Sequence, residues 1–254
     1  MRPALRVEWW KLKRSPVTVA TTALMVVLLP LMAIGFYTVA QQGGTGALGQ
    51  KAGAMLLGTG WEGYLSGVDQ IAAVAGFIGA GVVVAWAFGR EHSDRTFASL
   101  FALPVSRGTI AGAKFVVLAC WVAVLSLLMV ITTFLVGVLS GVGSLDEAAL
   151  LPGLARLLVI VFTTGVLALS IALVASIGRG YLPAIGGLIL IVAAAQIAVL
   201  FGTGGWFPYA VPGLLAVPGE GIPAPSSIQM ALIPVLTGIS MWMTMTWWQR
   251  TEVG

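Results

Sequence analysis

Six long apolar runs, separated by short polar or charged stretches, organise this chain. They fall at about residues 17–39, 71–88, 110–138, 154–177, 181–201 and 228–248. A helix rises 1.5 Å per residue, so about 20 residues cross the ~30 Å of bilayer hydrocarbon. The second run, roughly 27 Å as a helix, barely reaches. In lipid every backbone polar group must be satisfied internally, which leaves helices or closed barrels. The alternating ten-residue segments of a barrel are missing. The pattern therefore predicts six transmembrane helices in one domain covering residues 1–254. Pro30 should kink the first, while Pro183 sits in the first turn of the fifth, where proline is tolerated. Gln41 to Asp69 reads as a Gly-rich polar loop. Gly202 to Ser227 reads as a Gly/Pro-rich loop carrying Trp206, Phe207 and Tyr209.

Two shorter stretches are amphipathic. Arg2 to Arg14 puts Leu5, Trp9 and Leu12 on one helical face and most of its basic residues elsewhere, the pattern of a helix lying in a membrane interface. A cleaved signal peptide is the competing reading, but the apolar part, Val17 to Val39, exceeds the 7–15 residues of a signal core. The second stretch, Gly89 to Lys114, is the longest charged passage inside the chain. There Phe97, Leu100 and Phe101 recur at i, i+3, i+4 spacing, which predicts a short surface helix. Pro104 ends it. A charged helix held against one face of a membrane protein is something a partner on that face could push.

Composition and charge sharpen this picture. The chain is 59% hydrophobic and 9% charged, with mean hydropathy +1.02; soluble domains carry about 25% charged residues. Of 13 Lys and Arg, all but Lys51 and Arg156 fall on the side that holds both termini and residues 90–107. Basic residues favour the cytoplasmic side, so a multi-pass protein of the cell membrane with both termini in the cytoplasm is expected. Topology thus accounts for the +4 net charge without a nucleic-acid partner. Lys114, at the start of the third run, is placed to snorkel to the cytoplasmic surface.

Little in the chain suggests chemistry. Two G-x-G-x-x-G matches, at Gly44/Gly46/Gly49 and Gly58/Gly60/Gly63, lie in the extracytoplasmic loop and lack the strand before them that a dinucleotide site needs. There is no G-x-x-x-x-G-K-[ST] to cradle phosphates. His92 is the only histidine, read as a surface residue beside Glu91, and no metal site is expected. Cys120 is read as a small buried apolar residue. No Asp, Glu, Lys or Arg falls near the middle of a run, which weighs against an ion-coupled carrier. Gln196 is the most polar residue at depth, either a pocket-lining group or an interhelical hydrogen bond. Gly137 and Gly141 suit close helix packing.

On these residues the chain resembles the permease subunits of type-two ABC exporters, the small six-span kind that includes bacitracin- and lantibiotic-immunity permeases. Glu8, Trp9 and Lys11 with their following basics are similar to the family's elbow helix. Glu91, Thr96, Leu100, Phe101, Pro104, Val105, Ser106, Arg107 and Lys114 resemble its E…GT…LL..PvsR…K loop, with Arg95 where the family usually has glycine. The resemblance implies an all-α integral membrane protein with an N-terminal elbow helix and a cytoplasmic coupling helix between helices 2 and 3. It implies ATPase coupling through Glu91, Arg95, Thr96, Phe97, Leu100, Pro104 and Arg107, with Arg107 and Lys114 equally readable as positive-inside anchors. It further implies two copies of a separate ABC ATPase that uses ATP and Mg, a second permease copy or related permease, and no cofactor on this chain. The substrate path would lie at the dimer interface near helices 2 and 5, with Gln196 a candidate and the 202–227 loop dipping back as a gate. An export role in antibiotic resistance or immunity would follow. The alternatives are an ATP-independent channel or carrier and an intramembrane enzyme, for which paired polar groups at one depth are missing.

Overall fold

The computed structural model describes residues 2–42, 46–94, 105–145, 148–217 and 224–251, and every element among them is helical. Helix α1 (Arg2–Arg14) precedes α2 (Pro16–Gln41). A short α3 (Ala47–Met55) leads to α4 (Gly60–Ser93). Then come α5 (Arg107–Leu139), α6 (Leu150–Ile177), α7 (Tyr181–Leu200), the short α8 (Val211–Ala216) and α9 (Ser227–Arg250). Six of these, α2, α4, α5, α6, α7 and α9, are long and apolar enough to cross a membrane. The protein is an all-α, multi-pass membrane protein.

Local chemistry sets the helix ends. Ser15 accepts a hydrogen bond from the Thr18 N–H with Pro16 just inside α2, and Ser106 caps α5 through the Thr109 N–H. Ser226 and Gln229 form a reciprocal capping box at the start of α9. At the far end of α5, Gly141 takes φ +64°, while Gly141 N–H bonds the Val138 carbonyl and Val142 N–H bonds that of Gly137. That is a left-handed helix stop, which favours glycine. Gly141 therefore terminates α5, and only Gly137 packs inside the helix, against Trp61 and Tyr64.

The second membrane helix departs most from the expectation. It starts at Gly60, eleven residues before Ile71, and runs for 34 residues. Trp61, Tyr64, Leu65 and Val68 follow the i, i+3, i+4, i+7 stripe of a buried helix face, and all four are fully buried. Their burial outweighs the helix-weakening glycines between them. In α2, the predicted kink takes the form of a π-helical turn at Leu24–Leu28 just before Pro30, which has no N–H to give the α-helical ladder. Helix α6 is interrupted at Leu169–Ser170. Cys120 is exposed on the outside of α5 rather than buried.

Side-chain and backbone contacts place the ends. Lys114 at the start of α5 meets Glu8 of α1 and Glu91 at the end of α4. Gly89 of α4 abuts the backbone of Gly180 and Tyr181, and Trp248 Nε1 of α9 donates to Ser176 Oγ of α6 at 2.8 Å. One end of the bundle thus gathers α1, the close of α4, α6 and α9, and the opening of α5 and α7. The described residues 202–217 return into the bundle rather than looping over it. Tyr209 packs edge-on to Phe77, halfway along α4, at 5.5 Å between ring centroids, and Ala216 is buried against Ala73 and Ile160.

Candidate functional site

Two places in the bundle bring polar groups together. At the end that holds α1, four charges of alternating sign interlock. The Lys114 ammonium donates to Glu8 Oε2 at 2.8 Å, Glu91 Oε1 at 2.9 Å and the Ala87 carbonyl at 2.9 Å. An ammonium has three N–H donors, so this one is fully used. Lys11 donates to Glu8 Oε1 at 2.8 Å and Glu91 Oε1 at 3.1 Å. Lys114 is 2% exposed, Glu91 3% and Glu8 7%, so the centre of the tetrad is dry. Phe88 and Trp248 each present a ring face to the Lys114 ammonium at 5.9 Å, a further attraction for a cation held out of water. Lys114 is thus the buried hub of a neutral network, not a side chain reaching for the surface.

The tetrad also sets protonation in α1. Burial works to raise the Glu8 carboxyl, but Lys114 and Lys11 together outweigh it and hold the group below its usual range. Burial works to lower Lys11, and the carboxylates of Glu91 and Glu8 outweigh that and raise it. Both groups are held charged.

Arg107 donates to the carbonyls of Gln249, at 3.1 Å, and Thr251, which ties the start of α5 to the end of α9. Glu91 and Arg107 therefore anchor the two roots of the segment between α4 and α5. Arg95, Thr96, Phe97, Leu100 and Pro104 lie outside the described residues. Glu8 and Lys11 turn inward on α1, while Trp9 and Trp10 face outward at 44% and 52% exposure. His92 lies against the rings of Trp247 and Trp248, at 5.8 and 6.2 Å between centroids, and is half-buried rather than a surface group.

The second place is a cavity of about 250 Å³ between α4, α7 and the returning segment. Gln70 and Phe77 line one wall, Val192 and Gln196 another, Tyr209 and Ala216 a third. Tyr209 fixes the returning segment through a 2.7 Å hydrogen bond to Ser170 at the break in α6, where Ser170 Oγ also donates to the Leu167 carbonyl at 2.6 Å. Thr237 of α9 donates to the Val166 carbonyl beside the same break. Gln196, the one pathway candidate from the sequence, lines this cavity, and among the described residues its amide has no hydrogen-bond partner.

Close by, Asp69 of α4 is fully buried and accepts a 2.6 Å hydrogen bond from Arg156 Nε of α6. Asp69 lies nine residues inside α4, within a span and not in the loop expected over residues 41–69. Neither it nor Arg156, the seventh residue of α6, is near the middle of its helix. Gln70, Tyr209 and the Asp69–Arg156 pair were all absent from the sequence candidates. The Trp61–Val68 stripe, which extends α4 outward past Asp69, is a signal for Asp69 and Gln70 alone. Among the described residues no group of three or more His, Cys, Asp or Glu could hold a metal ion.

Six membrane helices, an amphipathic N-terminal helix locked to two of them by buried charge, and a cavity lined by a returning segment fit a membrane component of the transporter type. The chain belongs to the ABC-2 family of transporter proteins, whose family model matches residues 4–196. Over 79 residues it is 28% identical to the bacitracin transport permease protein BCRB of Bacillus licheniformis. That match covers 31% of this chain and 38% of the relative's length.

Proposed function

We propose that this chain is the membrane-spanning permease of an ATP-driven ABC exporter, worked by a separate ATPase subunit on the face that carries both termini. The tetrad carries the reading. It welds α1 to the last turns of α4 and the first turns of α5, the two roots of the charged segment at residues 94–106. A push on that segment is then delivered to three helices as one unit, because charges held this far from water resist separation. The basic excess at that end supports a cytosolic orientation. Arg95, Thr96, Phe97, Leu100 and Pro104 are the proposed contact surface, with Glu91 and Arg107 holding its roots.

Two ATPase subunits and a second permease, identical or related, complete the proposed assembly, and ATP and Mg are used by the ATPase. At the other site the cavity beside Gln196 is part of the substrate path, and the returning segment at residues 204–216 is its gate. A role in antibiotic resistance or immunity draws on the name of the bacitracin relative.

The test is to look for a P-loop ATPase subunit encoded beside this chain or copurifying with it, and to reconstitute the two together into liposomes. ATP-dependent efflux and copurification are expected, and Arg95→Glu should weaken copurification while membrane insertion stays intact. Equal transport by the chain alone without nucleotide would replace this reading with that of an autonomous carrier.

A further inference from the structure

The cavity between α4, α7 and the returning segment has walls of one chemical kind. Among the described residues that line it there is no formal charge. Asp69 adjoins the lining residue Gln70 in sequence, but it is turned to Arg156 and neutralised there. The polar groups that do line the cavity are neutral: the amides of Gln70 and Gln196 and the Tyr209 hydroxyl, set among Phe77, Val192 and Ala216. An ion entering this space would meet no counter-charge among these lining residues to replace the water it gives up.

The space runs from the middle of α4 to the last turn of α7. Phe77 is halfway along the 34-residue α4, and Gln196 is the sixteenth of the twenty residues of α7, about 6 Å from its end at Leu200. Gln196 is exposed there, so its amide is open to a ligand that brings its own hydrogen-bonding group. Size narrows the class further. About 250 Å³ holds roughly eight groups the size of a water or a methylene, at ~30 Å³ each. That suits one arm of a larger molecule more than a whole drug-sized ligand.

We infer that this cavity binds the uncharged, apolar arm of an amphipathic molecule, an acyl-like chain ending in an amide or hydroxyl that pairs with Gln196, and that it excludes charged groups. This deepens the pathway reading given above and rests on it for the claim that the bound molecule is cargo.

The test is equilibrium binding to the full chain in nanodiscs, with empty nanodiscs subtracted. Three probes share one chain length: octanoyl-N-methylglucamide, octanoate and octyltrimethylammonium. Saturable binding of the neutral amide is expected, at least tenfold tighter than either ion. Gln196→Leu, which keeps the side-chain size, should weaken amide binding about tenfold, the worth of one hydrogen bond. Val192→Trp, which fills the cavity, should abolish it. If Val192→Trp does not fold, Gln196→Leu still decides.

Equal or tighter binding of either ion, binding indifferent to both variants, or no saturable binding of the amide would each overturn the inference. The assay contains neither ATPase nor nucleotide. Its failure therefore leaves the coupling reading standing, and failure of ATPase copurification leaves this one standing.

Discussion

The two buried ionic sites among the described residues solve the same problem with different redundancy. In the tetrad, each lysine reaches both carboxylates, and the four charges come from three helices. In the pair, Asp69 is fully buried and Arg156 keeps 27% of its side chain exposed, with a single bond between them. The tetrad is a clamp in which Lys11 still ties Glu8 to Glu91 if Lys114 turns away. The pair is a pin between two helices. Under the proposed function, a clamp suits an end where force would be passed on, and a pin suits a wall beside a cavity that would change shape.

The largest effect should come from removing the hub of the clamp. Lys114→Met leaves two carboxylates in a dry site with only the partly exposed Lys11 between them. Breaking a buried ionic contact this way costs about 3–5 kcal/mol. Thermal unfolding of the chain in nanodiscs should drop markedly, and α1 should become sensitive to trypsin. A variant as stable as the parent would mean that the tetrad holds nothing together.

The pin should respond asymmetrically. Arg156→Ala strands a fully buried carboxylate and should cost about 2 kcal/mol. Asp69→Asn leaves a partly exposed guanidinium that water can reach, and should cost under about 1 kcal/mol. Measured side by side in the same unfolding assay, the reverse order would show that the arginine is the group out of reach of water.

The same contrast marks what the sequence could reveal. Apolar runs encode crossing number directly, because hydrocarbon thickness imposes a length, and five of the six helices begin and end within about four residues of their runs. Helix α4 escaped because glycine and polar residues in GWEGYLSGVD mask a buried stripe whose partners lie far away in sequence. The charges of the tetrad were visible one by one. Their meeting was not, since Glu8 and Lys114 are 106 positions apart and an isolated lysine at a span end looks the same whether it snorkels or is buried. The cavity was the least legible, for its third wall depends on a loop turning back through Tyr209 to a helix break at Ser170.

The smallest of these effects at neutral pH, and the most specific to the clamp, is its dependence on proton concentration. The carboxyl of Glu8 is held below its ordinary value, so its stabilisation is complete above that value and is lost as pH falls through the lowered one. The amine of Lys11 is raised, so its share is complete below the ordinary lysine value and is lost only as pH rises through the raised one. Docking of α1 should therefore be flat across neutral pH and should loosen on the acid side of about pH 4.3. A spin label at Arg6→Cys in a Cys120→Ala background reads this as label mobility. Mobility should be constant at mid-range pH and rise towards pH 3. With Glu8→Gln the label should already be more mobile at pH 7, because the lost carboxylate no longer pairs either lysine. A label equally immobile at pH 3 and pH 7 would show that α1 is held by its apolar face, through Leu5 and Leu12, and not by charge.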